Sequence, residues 1–114
     1  MPTWLPQMSV SRSTGAATVS MTVTPTTDVN IDAVRFNIGT AGATAGNFTV
    51  TLSSGTSAVY NTLLFSQNMS ATTDINQTLL GPVAKGDALV CAYTNTNART
   101  WGCEVYMSRV EGVE

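Results

Sequence analysis

The chain is expected to be all-β: a two-sheet antiparallel sandwich of jelly-roll type, with an immunoglobulin-like sandwich as the alternative. Three observations predict this. Apolar and polar residues alternate with period two in segment after segment, the mark of strands with one buried face. Ser, Thr and Asn make up about a third of the residues, and Thr, whose branched Cβ suits a pleated surface, is the commonest of all. No long window places apolar residues at i, i+3, i+4 and i+7 between helix caps, so no helix competes.

Residues 1–15 read as an extended arm or edge strand, because Pro2 and Pro6 cannot donate to a ladder. Within it, "MPTWLPQM" sets Trp4 and Leu5 between the two prolines, and these are the candidate partner-binding residues, since Trp is enriched at interface hot spots. An edge strand folded on the protein's own core is the competing reading. Residues 16–110 form the sandwich and 111–114 an acidic tail. In "ATVSMTVTP", Val19, Met21 and Val23 share a face and Pro25 ends the strand. "IDAVRFNIG" alternates Val34, Phe36 and Ile38 with Arg35 and Asn37, and "GNFTVTLSSG" alternates Phe48, Val50 and Leu52 with Thr49, Thr51 and Ser53. "AVYNTLLFSQ" and "DINQTLL" are less regular strands, "GPVAKGD" is a turn cluster, and the last two strands span 87–94 and 100–108. Seven or eight short strands between turns suit a sandwich. The Cys…Trp…Cys order of immunoglobulin domains is missing, because Trp101 lies just before Cys103.

The chain has 114 residues, enough for one domain with a sizeable core. Only 11 % of them are charged, against about 25 % in an average soluble domain. The net charge is −2, and Arg12, Arg35, Lys85, Arg99 and Arg109 are scattered. Nucleic-acid binding draws on clustered basic residues, so it is not expected. No apolar run reaches the length needed to span a bilayer, and the start has neither a basic n-region nor an apolar h-region. The expectation is a protein made in a cytoplasm that engages neither membrane nor nucleic acid.

The reactive residues are few. A symmetric hairpin closed by "NTNAR" would set Tyr93 opposite Trp101 and Cys91 opposite Cys103, and cross-strand neighbours come close to disulfide distance. Cys91 and Cys103 are therefore a disulfide or a buried thiol pair. Two cysteines and no histidine complete neither a tetrahedral metal site nor a nucleophile–base pair. "DVNID" opens like a calcium loop with Asp28, Asn30 and Asp32, but Ala33 and Gly39 stand where glycine and glutamate are needed, and capping of a turn explains the motif better. Asn47, Asn68 and Asn76 match the glycosylation pattern in a chain where such matches arise by chance. The acids fall mostly at expected turns or the tail; Glu104 lies on the strand face opposite Trp101, Cys103 and Val105. "GTAGATAG" (39–46) suits a loop tip and not a phosphate cradle. No catalytic residue, metal or cofactor is expected.

Low charge and small neutral loops suit a surface that is covered in an assembly. The stretch from "VRFNIGT…GNFTVTLSSG" through "GPVAKGDALVCAYTNTNARTWGCEVYMSRV" resembles the small β-sandwich accessory proteins of tailed bacteriophage virions, including capsid decoration or cement proteins. The shared features are paired strands with a small-residue tip, the "KGD" turn, and a final pair ending in an apolar strand and acidic tail. The resemblance implies a non-enzymatic virion protein that stabilises an assembled shell. It would work as a homo-oligomer, commonly a trimer, against the major capsid protein or another virion protein, assembled in the host cytoplasm and carried on the particle. The alternative is a carbohydrate- or receptor-binding sandwich of a tail or fibre. Trp101, Tyr93 and Tyr106 would then be the stacking candidates, though alternation assigns Tyr93 and Trp101 to the core.

Overall fold

The computed structural model describes residues 8–39 and 46–109, which form eight strands: β1 (Met8–Gly15), β2 (Val19–Val23), β3 (Val29–Ile38), β4 (Asn47–Ser53), β5 (Thr62–Asn68), β6 (Asp74–Val83), β7 (Ala88–Tyr93) and β8 (Trp101–Arg109). A short 3-10 turn, Ala58–Tyr60, precedes β5. Two antiparallel sheets pack face to face, one in the order β1-β8-β3-β6 (sheet A), the other β2-β7-β4-β5 (sheet B).

The pairings β1·β8, β2·β7, β3·β6 and β4·β5 are nested, as in one long antiparallel ribbon with β4·β5 at its tip. Successive pairs of that ribbon fall alternately in the two sheets. The fold is a jelly roll. The immunoglobulin-like alternative is excluded, because β4·β5 is the one pairing between strands adjacent in the chain, and every other connection crosses between sheets.

Alternation decides the core. Val19, Met21 and Val23 bury from β2 while Ser20 and Thr22 stay in water. Phe36 from sheet A stacks on Phe48 from sheet B, ring centroids 4.3 Å apart, with Tyr93 and Trp101 each at 6.3 Å from Phe36. A bulge in β3 between Ile31 and Ala33 adds one residue. It lets Ile31 and Val34, three positions apart, both point inward, and frees the Asp32 carboxylate to accept from the Ser108 hydroxyl.

Several expectations need correction. β7 and β8 do not form a hairpin; they lie in different sheets, and Cys91 pairs with Met21 and Val50 while Cys103 pairs with Ser13 and Phe36. The reason lies in the link 94–100, which is longer than tight hairpins use and is held as a crossover. The buried Asn95 side chain donates to the carbonyls of Ala17 and Arg99 and accepts from the Arg99 amide, and Trp101 Nε1 also donates to Ala17. "GPVAKGD" is only half a turn. Gly81–Val83 belong to β6, where an edge position tolerates Pro82, and the turn proper closes with the Asp87 amide donating to the Ala84 carbonyl. Asn30 and Asp32 lie within β3 and not in a turn, and Asp74 opens β6. The segment 58–60 is a 3-10 turn where an irregular strand was expected.

Candidate functional site

Two features of the surface stand out, one polar and one apolar. The polar one is the outer face of sheet A. Because β1, β8, β3 and β6 run side by side, register sets Arg12, Glu104, Arg35 and Asn76 in one row across the sheet, with Thr14, Gly102, Asn37 and Asp74 in the next. Arg12 Nε donates to Glu104 Oε2 at 2.6 Å. The Tyr106 hydroxyl donates to Glu104 Oε1 at 3.2 Å and accepts from Arg35 Nη1 at 3.2 Å. The Arg35 guanidinium lies 4.5 Å over the Tyr106 ring and its Nε reaches Asn76 Oδ1. In the next row, Asn37 Nδ2 donates to Asp74 Oδ1.

The Arg12 hydrogen bond holds the Glu104 carboxyl below its ordinary range, with help from Tyr106 and the charge of Arg35, and the same contact raises the Arg12 pKa. Gly102 interrupts this face: a Cβ there would meet nothing within 4 Å. Over it lies an open trough of about 680 Å³, bordered by Thr14, Asn37, Asp74 and Glu104, with both arginines at one end. Its donors and acceptors are mixed and its charges, two of each sign, balance. Chemically it can bind a neutral polar molecule, or take no ligand and serve as a solvated ladder.

The apolar feature is the β5 edge of sheet B together with the 3-10 turn that leads into it. Val59, Tyr60 and Leu63 expose 81, 63 and 58 % of their surface. Edge strands are ordinarily blunted by charge, proline or shortness. β1 carries Arg12, β6 carries Asp74 and Pro82, and β2 has five residues. β5, "TLLFSQN", has neither charge nor proline, only a bulge opposite Val50 and Thr51.

Trp4 and Leu5, the expected partner-binding pair, lie outside the described residues, as does the tail 111–114. Cys91 and Cys103 are buried free thiols. Of the three stacking candidates, Tyr93 and Trp101 are in the core, and Tyr106 is half-buried beneath Arg35. Asp28 accepts from the Lys85 amide, and Asn47, Asn68 and Asn76 are exposed. Among the described residues no group of three or more His, Cys, Asp or Glu is placed to hold a metal ion.

Sequence reasoning missed both surface features. "SVSRSTG" pairs Ser9, Ser11 and Ser13 with the core-facing Met107, Val105 and Cys103, and Val10 and Arg12 with the outer-face Tyr106 and Glu104, so its alternation carries no apolar signal for an inward face. The Arg12–Glu104 partnership spans 92 residues. For β5 the signal was present in "TLLF" without a charge. No family model matches this sequence, and no curated protein matches it.

Proposed function

We propose that this is a non-enzymatic structural protein of a virion, a decoration or cement protein that docks as a homo-oligomer, a trimer in the simplest arrangement, on an assembled tailed-phage shell. The observation that carries the reading is the open edge of β5 with Val59, Tyr60 and Leu63 in water, on a jelly roll, an architecture shared by viral shell proteins. A free monomer gains nothing from such an edge and risks aggregation; a protein covered by neighbours gains contact area. The low charge, the resemblance in strand texture and the short neutral loops point the same way. Fold alone does not assign function, so the surface has to carry it.

The test is sedimentation of the full chain, alone and with empty phage capsids. The expected result is a discrete oligomer that co-pellets with shells and that Leu63→Asp reduces to a non-binding monomer. A monomer at every concentration, absent from the shell pellet, would overturn the reading.

The trough over Gly102 supports a second reading, a glycan-binding module of a tail or fibre, because mixed donors and acceptors around a bare backbone floor suit a hydroxyl-rich ligand. Gly102→Ser fills that floor without a clash. On a glycan panel this reading predicts binding by the natural chain and its loss in the variant; no glycan bound by either removes it.

A further inference from the structure

The crossover from β7 to β8 sets the two cysteines at equal distances along the chain from the link that joins their strands. Each strand is second in its sheet, so the two stack. Cys91 lies two residues before the end of β7 and Cys103 two residues after the start of β8, equally deep beneath the link 94–100. Tyr93 and Trp101, at those strand ends, flank the same Phe36 ring, which marks the common level. Cys91 is 0 % and Cys103 1 % exposed, and both belong to one apolar cluster. We propose that Cys91 and Cys103 form a disulfide site that staples sheet A to sheet B, loaded by a low-molecular-weight disulfide such as oxidised glutathione before the core has closed.

One cysteine thiolate attacks the glutathione disulfide, forming a mixed disulfide and releasing one glutathione thiolate. The other cysteine thiolate then attacks the protein sulfur and displaces the second glutathione. The two protons lost by the cysteines end on the glutathione thiols, and the two electrons reduce glutathione disulfide. Immunoglobulin domains place a disulfide in the same way between facing sheets, where the two strands locally approach to the Cα separation of about 4.4–6.8 Å that the bond requires. Timing follows from burial. In the closed core the neighbouring Cys103 and desolvation push the Cys91 pKa far up, so the attacking thiolate is scarce there. The reduced native protein therefore resists oxidation and the stapled one resists reduction. The state is set by the redox conditions under which the chain folds.

The experiment unfolds the full chain in denaturant and refolds it either with dithiothreitol or with a mixture of reduced and oxidised glutathione. Refolding with glutathione should give a product lighter by two hydrogen atoms, without titratable thiols, of the same size as the reduced one. Its Tm should be higher by about 10 °C, the effect expected of a cross-link closing a short loop. Cys103→Val should abolish the difference. Two free thiols after refolding with oxidised glutathione, a bond joining two chains, or an oxidised form melting below the reduced one would each overturn the proposal; the natural chain alone yields all three readings, whether or not the variant folds.

Discussion

Among the described residues Asn95 is the buried polar one. It is 5 % exposed, adopts φ +52°, and takes part in three side-chain hydrogen bonds that join the β1–β2 and β7–β8 links. Asn tolerates the left-handed region better than alanine does. Asn95→Ala loses the bonds and adds strain, and should lower stability by about 3 kcal/mol; Asn95→Gly relieves the strain and should cost roughly 1 kcal/mol less. Urea midpoints of the two variants check the order. Glu104 carries the pH dependence of the outer face. Its carboxyl sits below the ordinary 4.5 in the folded chain, so at acid pH the unfolded chain binds the extra proton. Its contribution is complete above that ordinary value and fades as pH falls through the lower folded one. Since Arg12 is largely exposed, the contribution is small and screened by salt. The Tm gap between the natural chain and Glu104→Gln should narrow from pH 7 to pH 3; a constant gap would mean the contact does not hold the carboxylate.

At the scale of elements, loops lock the ends of the sandwich and edges decide what it meets. At one end, Gly55 packs against the β6–β7 turn, where a Cβ would lie 2.1 Å from the Gly86 carbonyl oxygen, and its amide donates to Asp87 Oδ1. Gly55→Ala must push the two loops apart and should destabilise by about 2 kcal/mol, with chemical-shift changes confined to that end of the sheets. Edge β5 is expected to behave oppositely. Leu63 is mostly in water, so Leu63→Asp should leave the unfolding midpoint within about 0.5 kcal/mol of the natural value while changing association. A large loss of stability there would mean that the side chain belongs to the core and not to an interface.

For the whole molecule, the sandwich was legible because alternation is local: "TVSMTV", "VRFNI" and "NFTVTL" each show their buried face without reference to any partner. Strand pairing was not, because β1·β8 and β3·β6 join residues far apart in the chain, and nothing in "NTNAR" says whether it closes a hairpin or crosses between sheets. That is why Cys91 and Cys103 were set opposite each other in a hairpin that does not form, and why the Arg12–Glu104–Arg35 row could not be read at all. The same non-local nesting predicts slow folding, on the order of milliseconds to seconds, since most pairings must close long loops first. We propose that this jelly roll works through contact with neighbours along β5. Light scattering coupled to size exclusion of the full chain and of Leu63→Asp tests it most directly: a discrete oligomer that the substitution turns into a folded monomer is the predicted result. Identical masses for the two proteins would contradict it.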